Sequence, residues 1–406
     1  MKDFDKDIAY ISSISRYFAR LIQNEEYLEY VHTSYSKPFG KIDVEETLSF
    51  KVDDEKNFLK SIRIAKNKIL MRLIFCDLKQ MIQYEDVVDI YSYFADLVIQ
   101  KTFAFYAESF NCKKENFYII AMGKLGGQEL NVASDIDLIF AHDNDTLDNQ
   151  KGSELAKKII YALENNDENG FVFHVDIRLR PHGSEGRLVP SLNFLEDYYL
   201  NYGREWERYA WIKHRVIVGD EDKISNLITP FVYRKYLDYK TISEIRNLKK
   251  LIKKDLNEKN KLNDIKLGIG GIREIEFIVQ AIQLIRGGKN PHLRLKNTLA
   301  SLQQIFYEKA LNKEEFTNLK AAYVFLRNTE HRIQYLDNKQ THLIPVNGDL
   351  ELLSKTYNLN SEEFITQLDK LRECINFQFV NFFKTENEHE VAIEHFYDIE
   401  NKELVD

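Results

Sequence analysis

Asp135 and Asp137, one residue apart and directly after a glycine turn in Gly123-Lys124-Leu125-Gly126-Gly127-Gln128-Glu129-Leu130-Asn131-Val132-Ala133-Ser134, constrain this chain more than any other feature. The run Asp135-Ile-Asp-Leu-Ile-Phe140 reads as a strand, and a strand turns successive side chains to opposite faces. Both carboxylates therefore face one way, while Ile136, Leu138 and Phe140 are free to pack on the other side. Two neighbouring acids repel unless a positive charge lies between them. A hard divalent cation suits that position, because Mg²⁺ takes one or two carboxylates and fills its remaining positions with water and phosphate oxygens.

Around this pair the chain divides by texture. At 406 residues it is long enough for two or three domains of roughly 100–200 residues each. Helical spacing of Ile8, Ile11, Ile14 and Phe18, and of Phe58, Ile62, Ala65, Ile69 and Leu73, predicts a helical region over 1–110. Residues 111–220 read as a compact α+β unit. Its strands are expected at Phe117–Ala121, Ser134–Ala141 and Phe171–Arg178, with a helix over Ser153–Leu163 and a second from Ser191 to about His214. Helical periodicity returns over 221–385, and the last stretch, 386–406, holds eight acids and one lysine and reads as a solvated acidic tail. The chain as a whole is expected to be predominantly helical.

Charge and cysteine usage exclude several classes. The 56 Lys and Arg against 64 Asp and Glu give a formal charge of −8, which disfavours nucleic acid as the main partner. Cys76, Cys112 and Cys374 have neither zinc-site nor disulfide spacing. With no apolar leader at the charged N-terminus and no run of about 20 apolar residues, a soluble cytoplasmic protein without membrane contact is expected.

Four further sets of residues carry chemistry. Gly126 and Gly127 are expected to take positive φ and bring amides close to phosphate oxygens, with Lys124 and Ser134 beside them. Asp176, mid-strand in His174-Val-Asp-Ile-Arg178, is a costly acid unless paired or metal-bound. It is either the third metal ligand or an ion-pair partner of Arg178 or Arg180. Arg178 and Arg180, and Arg204, Arg208 and Arg215 after them, could reach a nucleotide or form an ion-pair ladder with Glu205 and Glu207. Finally Lys266 and the glycines 268, 270 and 271 precede a helix from Ile272, on which Arg273, Glu276, Gln280 and Gln283 form a polar stripe. That stripe either closes over a nucleotide or is simply wetted. There is no G-x-x-x-x-G-K-[ST] and no dinucleotide-type glycine spacing, and Asp143-Asn-Asp-Thr-Leu-Asp148 lacks the glycine of a calcium loop and reads as a solvated turn.

Taken together, Gly123-Lys-Leu-Gly-Gly-Gln-Glu-Leu-Asn131, Ser134-Asp-Ile-Asp-Leu138, Val175-Asp-Ile-Arg-Leu-Arg-Pro181, Gly203-Arg-Glu-Trp-Glu-Arg-Tyr-Ala210, Gly270-Gly-Ile-Arg-Glu-Ile-Glu-Phe277 and Gln340-Thr-His342 resemble the glutamine synthetase adenylyltransferase/adenylyl-removing enzyme family. The resemblance implies a small mixed-sheet nucleotidyltransferase unit of the DNA polymerase β type, flanked by helical regions. It also implies two metal ions, Mg²⁺ or Mn²⁺, on Asp135, Asp137 and Asp176, and a nucleotide or phosphate near Lys124, Gly126, Gly127, Ser134, Arg178, Arg180, Arg273 and Glu276. The Asn131 context resembles the half that removes AMP from a glutamine synthetase tyrosine with inorganic phosphate, releasing ADP. Attachment of AMP from ATP is the alternative, and a silent module binding glutamine synthetase or a PII signalling protein is a third reading. His182, Ser184, Glu185 and Arg187 depart from the usual pattern of the loop after Pro181.

Overall fold

The computed structural model describes residues 2–143, 149–234 and 263–403, with side chains over 3–143, 150–234 and 263–382. Beyond Asp143, the acid-rich turn ending at Asp148 lies outside the described residues. Six helices open the chain: α1 (Lys2–Ile14), α2 (Arg16–Leu21), α3 (Glu25–Thr33), α4 (Lys41–Thr47), α5 (Glu55–Leu78) and α6 (Tyr84–Ala107). The α+β unit follows as β1 (Phe117–Met122), α7 (Gly123–Gly126), β2 (Ile136–His142), α8 (Asn149–Glu164), β3 (Val175–Asp176), α9 (Leu192–Asn201), α10 (Glu205–Ile212) and β4 (Arg215–Val218). Then come α11 (Glu221–Val232), α12 (Ile272–Arg286), α13 (Thr298–Tyr307), α14 (Lys313–Asp337), α15 (Gly348–Lys355) and α16 (Ser361–Glu403). The chain is thus α+β and predominantly helical, as its periodicity leads one to expect.

The four strands form one mixed sheet in the order β3-β2-β1-β4, antiparallel except for the parallel β2–β3 pair. All six residues of β1 are buried, so the sheet is covered on both faces. Alternation along the strands divides the core in two. Phe117, Ile119 and Ala121, with Ile136, Leu138 and Phe140, join the cluster made with the N-terminal helices. Tyr118, Ile120 and Met122, with Ile139 and Ala141, join the cluster made with α9 to α16. By the same alternation Asp137 lies on the second face, toward the C-terminal helices.

Three expectations need correction. The third strand is only Val175–Asp176, because Phe173 is packed in the N-terminal core and Arg178 folds back onto Asp176. The helix from Ser191 is capped as foreseen, with the Ser191 hydroxyl accepting from the Phe194 amide at 3.3 Å, but it breaks at Tyr202 to Arg204. There the Gly203 backbone presses on Phe231, whose ring would meet a Cβ at 2.4 Å. The fourth strand, β4, was not foreseen; its four residues follow the helix too closely for a separate periodicity to show. At the other end, the backbone of the acidic stretch is helical as far as Glu403.

The two helical regions meet around the turn after β1. Arg16 on α2 bridges Asp337 and Asp349, each at 2.7 Å, and the Ser15 hydroxyl donates to the Tyr335 carbonyl. Deeper, Lys213 at the end of α10 lies 2.9 Å from Glu129 and 3.0 Å from Glu276. Burial opposes charge on Lys213, but the two carboxylates outweigh it and its pKa is raised. Arg327 on α14 pairs with Glu330 at 2.7 Å, and donates to the Glu129 carbonyl and the Tyr84 hydroxyl. Lys124 reaches Glu330 at 3.3 Å.

Two substitutions test this architecture by urea unfolding. Lys213→Met strands two buried carboxylates and is expected to lose about 3–5 kcal/mol of stability. Gly126→Ala drives a Cβ to 1.9 Å from the Lys213 carbonyl and is expected to lose about 1–3 kcal/mol or more, whereas Gly348→Ala, with open space around its Cβ, is expected to be neutral. Equal stability for Gly126→Ala and wild type would contradict this packing.

Candidate active site

The acids are assembled by strand register. Asp137 pairs with Met122 across the antiparallel β1–β2 ladder and with Asp176 across the parallel β2–β3 pair, so the latter two acids are neighbours at one sheet edge. Asp135 precedes β2 by one residue. The Asp137 carboxyl is pushed up to about 6, chiefly by burial and then by the charges of Asp176 and Asp135, with Lys266 and Lys124 opposing. Asp135 therefore belongs to the same electrostatic group. Among the described residues, neither Asp135 nor Asp137 has a hydrogen bond or ion pair to its side chain.

Asp176 is occupied differently. Arg178 folds back on it through its backbone amide at 2.8 Å and its guanidinium Nε at 2.9 Å, with a further contact from NH2. These hydrogen bonds hold the Asp176 carboxyl below its usual range despite burial. Of the two sequence readings for Asp176, the ion pair with Arg178 is the arrangement present. Among the described residues no three His, Cys, Asp or Glu side chains are grouped so as to hold a metal ion, Asp135, Asp137 and Asp176 included. The edge does bring together like charges that act on one another, with Asp176 neutralised by a 78 % exposed arginine.

Glycine chemistry at the turn falls on Gly123 and not where it was expected. Gly123 has φ +56°, and a Cβ there would lie 2.8 Å from Asp137 Oδ2. Only a glycine lets the turn run this close to the carboxylate. Gly126 ends α7, Gly127 has φ −79°, and the Gly127 amide donates to the Gly123 carbonyl at 3.0 Å. Their missing side chains make room for the backbones of Lys213 and Lys296. Gly123, immediately after the strand, was the position to single out.

The remaining residues sort plainly. Lys124 lies beside the turn with its amine brought down to about 7, by burial first, with Glu330 opposing. Ser134 and Asp135 line a cavity of about 460 Å³ beside the edge. Arg178 is largely exposed although paired with Asp176. Arg180 is not: its guanidinium donates to the carbonyls of Ile177 (2.6 Å), Ser184 (2.9 Å) and Gly186 (3.2 Å), fixing the loop after Pro181. Arg208 is buried against Glu205 and the Val232 carbonyl, and Arg215 pairs with Asp96. Glu276 is held at about 2 because the charges of Lys213, Arg327 and Lys266 outweigh its burial, so its carboxylate is engaged by the ion network. Gln283 is also internal, donating to the carbonyls of Leu293 and Leu295. Arg273 is half-buried at the start of α12, its amide on the Lys266 carbonyl at 3.1 Å.

The family model for glutamate-ammonia ligase adenylyltransferase matches residues 6–227, more than half of the chain. The chain belongs to the glutamate-ammonia ligase adenylyltransferase family. Curated relatives of this family are named bifunctional glutamine synthetase adenylyltransferase/adenylyl-removing enzyme. The one from Aromatoleum aromaticum is 36% identical over 93% of this chain and 42% of its own length. That from Chromobacterium violaceum is 35% identical over 93% and 44%, and that from Hahella chejuensis 37% over 82% and 37%. The chain thus spans less than half the length of the adenylyltransferase relatives it matches. A second model, GlnD PII-uridylyltransferase, matches residues 245–383. None of the helices among the described residues is long and apolar enough to cross a membrane.

The acid edge makes a pH-dependent expectation. Because the folded-state pKa of Asp137, about 6, lies above its ordinary value of 3.8, its contribution to stability is fully present below pH 3.8 and is lost as pH rises through 6. Asp137→Asn is therefore expected to stabilise the metal-free protein by on the order of 1–2 kcal/mol above pH 7, after allowance for solvent screening, and by nothing near pH 4. Thermal unfolding at the two pH values checks this; a gain of equal size at both would rule out the electrostatic account.

Proposed function

We propose that this chain is an adenylyl-removing unit, transferring AMP from a glutamine synthetase tyrosine to inorganic phosphate. The observation that carries the reading is the pairing of Asp137 with Asp176 at one sheet edge, with Asp135 beside them and Gly123 opening the approach. Asn131-Val-Ala-Ser134 ahead of the acids supports removal over attachment. Asp135, Asp137 and Asp176 would hold Mg²⁺, which when bound would neutralise charge on the phosphoryl oxygens.

The chain's own groups then position the reactants. In removal, an oxygen of inorganic phosphate bonds to the AMP phosphorus while the bond from phosphorus to the tyrosine oxygen breaks; that oxygen keeps the electron pair and takes a proton, giving tyrosine and ADP. Phosphate is already anionic at neutral pH, so no strong base is needed and positioning supplies most of the acceleration. Arg178, anchored through Asp176 yet largely exposed, is placed to hold an anionic oxygen. Lys124 stands beside the turn, its amine 3.3 Å from Glu330. Attachment would instead require the tyrosine hydroxyl to lose its proton, which the metal or Asp176 would have to take. Glutamine synthetase would be the AMP donor in removal and the AMP acceptor in attachment. The similarity of residues 245–383 to a PII-uridylyltransferase makes the helical half the region to assay for contact with a PII protein.

Incubation with adenylylated glutamine synthetase, Mg²⁺ and phosphate is expected to release ADP in proportion to phosphate. Asp135→Asn with Asp137→Asn is expected to lower this rate by about 10³-fold or more while glutamine synthetase binding persists. Labelling of unmodified glutamine synthetase by ATP without any ADP release would reverse the direction; unchanged turnover in the double variant would remove the acids from the mechanism.

A further inference from the structure

Lys66 lies in the middle of α5 and is 5 % exposed, yet no carboxylate meets it among the described residues. Its ammonium sits 5.3 Å from the centre of the Phe171 ring and 5.7 Å from that of Tyr17. Another cation, Arg20, further opposes its charge. A buried, unpaired lysine is costly, and a methionine of similar length would pack the same space without that cost. Such a group survives where something it holds offsets the burial.

What it faces is the cavity of about 460 Å³ beside the acid edge. Tyr91, fully buried, lines the same cavity, and its hydroxyl has no hydrogen-bond partner among the described residues. Tyr91 is fixed by ring contacts to Phe94 and Phe173, so the hydroxyl cannot readily turn away. Phe171 and His174 form part of the wall with ring centres 4.1 Å apart. Ser134 and Asp135 close it on the side of the catalytic edge. Two residues of the cavity wall, on two different helices, are thus left over: Lys66 meets no carboxylate and the Tyr91 hydroxyl has no hydrogen-bond partner among the described residues, while Asp135 lines the same cavity. Donors left without acceptors suit an oxyanion.

We propose that this cavity is a binding pocket for a small oxyanion, with the Lys66 ammonium and Tyr91 hydroxyl as donors, and that the anion is inorganic phosphate waiting beside the acid edge. The assignment of the anion as co-substrate rests on the phosphorolytic reading above; the existence of the pocket does not. Burial brings the Lys66 amine down to about 8, which makes it reactive in mildly alkaline buffer and gives the pocket a direct probe.

Trace acetylation of the full chain at pH 8, read residue by residue by peptide mass spectrometry, is compared in phosphate, in succinate and in chloride at equal ionic strength. Phosphate is expected to slow acetylation of Lys66 about tenfold once it exceeds its Kd by about tenfold, leaving exposed lysines unchanged. Tyr91→Phe, which keeps the ring packing, is expected to weaken that protection several-fold. It stands in for Lys66→Met should the latter fail to fold. In the ADP-release assay, Lys66→Met is expected to raise KM for phosphate with little change in kcat. Equal labelling in phosphate and chloride overturns the pocket. Protection by succinate alone makes the ligand a carboxylate and overturns the phosphate assignment. Protection by phosphate in a chain that releases no ADP keeps the pocket and overturns its co-substrate role.

Discussion

The position of the turn after β1 depends on Lys213 lying between Glu129 and Glu276. Glu129 belongs to the turn segment, Lys213 to the end of α10 and Glu276 to α12, so one ammonium ties the α+β unit to the C-terminal helices. Arg327 extends the tie, reaching Glu330, the Glu129 carbonyl and, through Tyr84, the N-terminal region. Lys124 completes it on Glu330. Three cations face three carboxylates with little water, and each would be a costly isolated charge if the turn moved away. Such a network adds less to net stability than its Coulomb energies indicate, but it makes one placement of the turn far better than its alternatives.

That placement decides where Asp137 lies. Gly123 takes a left-handed conformation and brings the backbone to within a methyl group of the Asp137 carboxylate, so a turn fixed by Lys213 and Glu330 also fixes the wall of the acid edge. The carboxylate is half-buried, beside Asp176 and near Asp135, and burial with like charge keeps its pKa near 6. The edge is thus an electrostatically unsatisfied place within an otherwise balanced interior. Arg178 answers part of it by folding onto Asp176, and that guanidinium is mostly in solvent and free to exchange partners.

Much of this was legible in the chain. The alternation of Asp137 with Ile136, Leu138 and Phe140 reads directly from the sequence, and the sheet packs the latter three in the N-terminal core; that Ile139 and Ala141, on the face of Asp137, are buried as well depends on the C-terminal helices. A small sheet and its helical surroundings followed from short β-branched runs set among long helical periods, while the mixed character of the sheet was implied only by the family resemblance. The glycines and arginines were harder. Sequence shows that Gly126 and Arg180 are unusual but not which neighbour requires them; Gly126 answers to the Lys213 backbone and Arg180 to three carbonyls of its own loop, both nonlocal or conformational facts. Glu276 looked like part of a polar stripe because its partner, Lys213, lies 63 residues away. Lys66 carried no signal at all, since a lysine within a helix reads as solvated until the packing buries it.

The central claim is that the acid edge holds a divalent cation, and direct binding of Mn²⁺ to the full chain, followed by the loss of free-ion electron paramagnetic resonance signal, tests it without any substrate. Saturable binding is expected in wild type, with Mg²⁺ competing, and it should disappear in Asp135→Asn with Asp137→Asn. Binding of equal strength in that double variant, or none in wild type, would contradict the account.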